Sequence, residues 1–169
     1  MKFKLKKSEN KLALIASELK KLKHGYVKAG VLASEKERDS GEVTNVDLAI
    51  IHEFGSPAAN IPERSFVRST FTKHRQEYSA ELKKLAGSLA KGDARKTAEN
   101  ILGLVGAKMA ADMKNTITEG LSPANAPDVY ARKLAKGTAA GLPKPLVDTG
   151  QLLNSITWDV VLGDKPKKG

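Results

Sequence analysis

With 169 residues, the chain is long enough for one domain with a real core, and the absence of cysteine excludes a disulfide framework and any thiolate metal cluster. The net charge of +10 is uneven. Residues 1–30 hold nine lysines against Glu9 and Glu18, residues 132–169 hold seven basic residues against three acids, and the middle is close to neutral. No signal-peptide core and no window near the roughly 20 apolar residues of a membrane span occur, so a soluble protein of cytoplasmic synthesis, without membrane contact, is expected. Aromatics make up only 5% of the chain, and no helix-turn-helix, zinc-finger or RNA-recognition pattern is present, which argues against base-specific readout.

After a basic terminus over residues 1–7, Leu12, Ile15, Leu19 and Leu22 recur at three and four residues, predicting a helix from Ser8 as N-cap to Lys23, stopped by Gly25. Val27, Ala29, Val31 and Ala33 then alternate with Tyr26, Lys28, Gly30 and Leu32, as a strand requires. Residues 34–46 have turn and charge chemistry and read as an extended loop, or as a hairpin arm added to the sheet. Thr44 or Asn45 can cap a short helix with Val46, Ala49, Ile50 and Phe54 on one face, closed by Gly55.

A proline segment follows, and then Val67, Phe71, His74, Tyr78, Leu82, Leu85 and Leu89 mark a long amphipathic helix ending near Gly92. Asp93 is placed to cap a second long helix, lined by Ala98, Ile101, Val105, Met109, Met113 and Ile117 and stopped by Gly120. The short connection predicts an antiparallel helix pair. Residues 121–147 hold four of the seven prolines and read as a second extended loop, in which "DVYARKLA" can form two turns of helix. Ile156, Trp158, Val160 and Leu162 alternate in a second strand before a basic end at 163–169. The expected fold is therefore one α+β domain, a small antiparallel sheet backed by an N-terminal helix and a long antiparallel helix pair.

Catalytic chemistry is sparse. His24, His52 and His74 are scattered; only His52 has an adjacent carboxylate, Glu53, and neighbours on a helix diverge by about 100°, so no metal site forms. His74 reads as a half-buried core histidine. Asp148, Thr149 and Ser155 lack the elbow and base of a serine hydrolase, and Asp148 is better used as a cap on the amides of Gly150 or Gln151. Gly103 and Gly106 lack the phosphate-loop pattern and suit close helix packing. No cofactor and no catalysis are expected.

The proline segment carries the sharper signal. In "IIHEFGSPAANIPERSF", Gly55 allows positive φ, Pro57 and Pro62 exclude helix around them, and Arg64 or Ser65 starts the next helix, which predicts a stiff exposed elbow. Arg64 and Arg68, one turn apart, could each offer a fork to a carboxylate on another chain.

"IIHEFGSPAANIPERSFVR" resembles the His-Glu-Phe-Gly … Ile-Pro-x-Arg-x-Phe signature of tailed-bacteriophage tail-component or tail-completion proteins, the head-tail joining (neck) family. "NAPDVYARKLAKGTAAGLPKPLVDTGQLLNSITWDV" is similar to that family's second hallmark, Ala-x-Lys followed by Lys-Pro-Leu-x-Asp-Thr-Gly-x-Leu-x-x-Ser-Ile. The two motifs and the helices between them span Val46 to Val161; the family often has proline where Ser65 stands, and residues 121–142 are longer than its pattern. The resemblance implies a virion protein, assembled in the host cytoplasm, that forms a homo-oligomeric ring, a hexamer, around the DNA channel. Its neighbours would be the head-tail connector and the tail terminator or tail tube; a tail terminator or minor tail protein is the near alternative. The implied assembly interface comprises His52, Glu53, Phe54, Gly55, Pro57, Pro62, Arg64, Phe66 and Arg68 of the first motif, with Lys144, Pro145, Asp148, Thr149 and Gly150 of the second. Lys2, Lys4, Lys6, Lys7, Lys165, Lys167 and Lys168 are the candidates for contact with DNA in the lumen, and a non-specific nucleic-acid-binding protein is the reading of another class.

Overall fold

The computed structural model describes residues 2–32, 43–93, 95–136, 144–146 and 150–163, with side chains described from residue 10 onward. The elements in chain order are α1 (Lys2–His24), β1 (Tyr26–Val31), α2 (Asn45–Phe54), a 3-10 turn (Pro57–Ala59), α3 (Val67–Ala90), α4 (Ala98–Glu119), α5 (Pro127–Lys136), α6 (Gln151–Ser155) and β2 (Ile156–Val161). β1 and β2 pair into a two-stranded antiparallel sheet with helices against it, an α+β fold as expected. The chain divides into two compact units, one from residues 1–28, 75–108 and 158–169 and the other from 29–74 and 109–157.

In the first unit, α1 begins at Lys2, so the basic terminus is helical and Ser8 is not its cap. Residues 2–24 contain no glycine or proline and are rich in lysine and leucine, and Ser8 is too weak a breaker to stop such a run. Ile15, Leu19 and Leu22 are half-buried, whereas Leu12 is exposed. The buried apolar residues are Tyr78, Leu85 and Leu89 of α3 and Ala98, Ile101, Leu102 and Val105 of α4. Lys108 lies beside Glu77, 3.5 Å away, and over the Tyr78 ring, which ties the two helices together here. Thr97, not Asp93, caps α4, its hydroxyl accepting the Asn100 amide, while Asp93 closes the preceding turn onto Arg95. The buried carboxylate of Glu18 adds a second cap, Oε2 accepting the Ala98 amide at 2.8 Å and Oε1 binding Lys21.

The α4 glycines meet the expectation of close packing. A Cβ on Gly106 would stand 2.9 Å from Val27 Cγ1 and 3.1 Å from the Trp158 ring, and one on Gly103 would stand 3.2 Å from the same ring. Gly106→Val is expected to cost about 1–3 kcal/mol through overpacking, whereas Gly87→Ala on α3, where a Cβ meets nothing within 4 Å, should stabilise by about 0.5–1 kcal/mol. Urea midpoints of the two variants moving in opposite directions are the check.

In the second unit, Phe66, Ala110, Met113, Ile117 and Ile156 form the core, flanked by Ala29, Val31, Ala49, Val67, Leu121, Leu146 and Leu153. The Thr70 and Thr116 hydroxyls meet at 2.6 Å and Lys73 lies 3.9 Å from Glu119, which ties α3 to α4 in this unit as well. Thr44, one of the two caps expected, closes α2 in a reciprocal box with Asp47. The expected apolar face of α2 is only partly right: Ile50 is 53% and Phe54 60% exposed, and the buried residues are Asn45 and Glu53. α5 forms within the predicted loop at 121–147, and α2 packs against α6. Residues 34–42 of the predicted hairpin arm lie outside those described, and of its last residues Thr44 caps α2 while Asn45 and Val46 belong to it.

Candidate assembly site

Glu53 stands in the last turn of α2, where the helix dipole disfavours a carboxylate. Its partners explain the position. Oε2 accepts the amides of Phe66 and Val67, both at 2.9 Å, and Oε1 accepts the Ser65 hydroxyl at 2.7 Å and the Arg68 amide and Nε at 2.9 Å. One carboxylate thus takes five donors and fills the orphan amides at the start of α3, where the dipole favours an anion. Burial raises the pKa of Glu53, but the amides of Val67 and Arg68 and the side chains of Ser65 and Arg68 outweigh it and hold it below the ordinary carboxylate value. Arg68 completes the latch through Nη2, bound to the Glu53 carbonyl and to the Glu63 carboxylate, with its guanidinium 4.6 Å from the centre of the Phe54 ring.

The elbow between the helices is stiff, as expected. Ser56 and Ile61 exchange both backbone hydrogen bonds in an isolated antiparallel bridge, Pro57–Ala59 make a single 3-10 turn, and the Arg64 amide donates to the His52 carbonyl at 2.7 Å. Gly55 has φ +75°, and a Cβ there would meet the Glu63 amide nitrogen at 2.9 Å. Only glycine fits. Pro57 and Pro62 lie exposed on this turn.

Several expectations for the interface need correction. Arg64 is 7% exposed, with Nε and Nη2 donating to the carbonyls of Pro123 and Ala124, so it clamps its own chain and is not the exposed surface fork expected. Phe66 is fully buried in the core and Glu53 is 6% exposed, so neither can face a neighbour. Arg68 is committed to Glu53 and Glu63, although its side chain stays half exposed. The elbow motif is thus mostly an internal device, because a motif rich in donors and acceptors satisfies itself where helix ends lie close. Phe54, Pro57 and Pro62 are the proposed interface residues of this motif that stay exposed without being tied into the latch.

Of the second motif, Pro145 is buried, and Lys144 is half-buried, its Nζ bound to the Thr118 carbonyl and its own carbonyl accepting Lys133 Nζ at 2.9 Å. Gly150, at φ +79°, precedes α6. Asp148 and Thr149, like Lys165, Lys167 and Lys168, lie outside the described residues. Lys2, Lys4, Lys6 and Lys7 belong to the first turns of α1. The ring of His52 is half-buried, and burial, then the charges of Arg64 and Lys133, push its pKa down to about 4, so it is neutral at pH 7. His74 is half-buried, as expected.

Sequence reading missed the roles of Ser65, Lys133 and Glu18. For Glu53 a signal existed, an acid in the last turn of a helix where a base is favoured, which calls for a donor set elsewhere. Among the described residues, no three His, Asp or Glu side chains are grouped to hold a metal ion, and no helix is long and apolar enough to cross a membrane. No protein-family model, curated protein or solved structure matches the chain.

Proposed function

We propose that the chain is a structural virion subunit of the tailed-phage neck, completing the tail and joining it to the DNA-filled head as a ring-forming homo-oligomer without catalysis. The observation that carries this reading is the paired motif resemblance, His52 to Phe66 with Lys144 to Ile156, in order along one chain. The geometry supports it by giving the first motif a constructional role, in which Glu53 joins two helices, Gly55 and the Ser56–Ile61 bridge fix the bend, and Arg64 holds the segment at 123–124. Such a motif marks a scaffold, and exposed apolar side chains of the same unit, Ile50, Phe54 and Phe71, are the surface left for neighbours. A ring needs two unlike patches that meet head to tail until the rotation closes.

Phe54→Glu separates assembly from folding, since its ring is 60% exposed and its stacking on Arg68 is worth only about 0.5–1 kcal/mol. The variant should keep the urea midpoint within that margin, while micrographs of phage carrying it show unjoined heads and tails. Normal infectious particles, or mature particles whose necks lack this polypeptide, would overturn the proposal. The continuous α1 carries eight lysines and favours a second reading, non-specific nucleic-acid binding. A DNA affinity that falls steeply with salt, as several released counterions require, would support it.

A further inference from the structure

A cavity of about 400 Å³ opens among α2, the elbow, α5 and α6, all within the second unit. Its wall combines apolar side chains, among them Leu48, Val129 and Leu152, with Arg64, Lys133 and His52, and no aspartate or glutamate is among the described residues that line it. Arg64 is the decisive member. Its side chain donates to two neutral carbonyls, and it has no carboxylate partner among the described residues despite being 7% exposed. Those carbonyls accept from Nε and Nη2 but bring no net charge, and a buried charge is costly unless an anion shares the site. Lys133, 6% exposed, adds a second buried cation to the same wall. The Nδ1 of His52 is buried without a hydrogen-bond partner among the described residues.

We infer that this cavity is a binding site for a carboxylate carried on an apolar stem, with Arg64 and Lys133 supplying the charge and the aliphatic wall taking the stem. The volume lies within the usual range for small-molecule sites. A DNA phosphodiester fits poorly, because it is flanked by sugars on both sides and cannot bring an oxygen to a guanidinium so deeply enclosed. A terminal carboxylate can. The same chemistry could come from a free organic acid or from the C-terminal carboxylate of a docking peptide, and neither source requires the protein to belong to a phage neck.

The test is methyl NMR on the full chain, following Leu48, Val129 and Leu152 during titration with hexanoate, with hexanol as the uncharged control. Saturable shifts with hexanoate, at least about tenfold weaker with hexanol, are expected. Val129→Trp, which fills the cavity and keeps every charge, should abolish them; this variant serves where Arg64→Met fails to fold. A hexapeptide with a free C-terminal leucine, compared with its amide, separates the sources. Preference for the free acid over hexanoate assigns a protein partner, and silence with the peptide assigns a small molecule. Equal binding of hexanoate and hexanol, or none of either, overturns the inference. So does a silent wild type whose Asp148→Asn variant responds, since the chain's own carboxylate would then be the counter-ion.

Discussion

Glu53→Gln is expected to lower the unfolding free energy by about 3–5 kcal/mol, the usual cost of removing one partner from a buried, hydrogen-bonded charge pair. The amide keeps the shape of the side chain but turns one acceptor into a donor that faces N–H groups, so at least one amide at the start of α3 loses its partner. Against a typical total of about 5–15 kcal/mol, that is a large share. The same latch gives a pH signature. Because the folded-state pKa of Glu53 is lowered, its contribution is complete above the unfolded carboxylate value near 4.5 and is lost as pH falls through the lower folded value. Urea midpoints measured from pH 7 downward should therefore fall more steeply for the wild type than for Glu53→Gln. Parallel profiles would mean that the carboxylate contributes no charge-dependent stability.

Phe66→Ala is expected to cost about 3–5 kcal/mol, because a fully buried ring is removed from among Ala110, Met113, Ile117 and Ile156. Phe66→Leu, which keeps most of the volume, should lose much less. Calorimetric melting of both variants checks the pair. An alanine variant that melts with the wild type would remove Phe66 from the core and return it to the surface. The contrast with Phe54, twelve residues earlier in the same motif, is the useful one: the phenylalanine inside should govern folding, and the one outside should govern association.

The helices were legible where the apolar spacing was long and regular. Ala98, Ile101, Val105, Met113 and Ile117 are all buried on α4, and the glycine at 120 ends the helix with φ +106°. The Thr44 cap was legible for a similar reason, since capping depends on residues three apart and on nothing distant. What escaped was long-range pairing of polar groups. Nothing near Glu18 says that its carboxylate caps a helix starting at Ala98, and nothing near Arg64 says that it seeks carbonyls at 123–124. Periodicity reports which face of a helix is apolar but not which acid will find which amide. Arg64 and Glu53 were therefore assigned to a neighbour when their partners lay within the chain.

Trp158 is the chain's only tryptophan, and its ring rests against the glycine faces of α4 in the first unit, whereas Glu53 and Phe66 belong to the second. Its emission is thus a built-in reporter of one unit, while far-ultraviolet circular dichroism sums the helices of both. In Glu53→Gln or Phe66→Ala, coincident denaturation curves from the two signals would mean that the units melt as one cooperative body. Curves that separate, with fluorescence lagging, would show that half of this molecule keeps its shape after the other has let go.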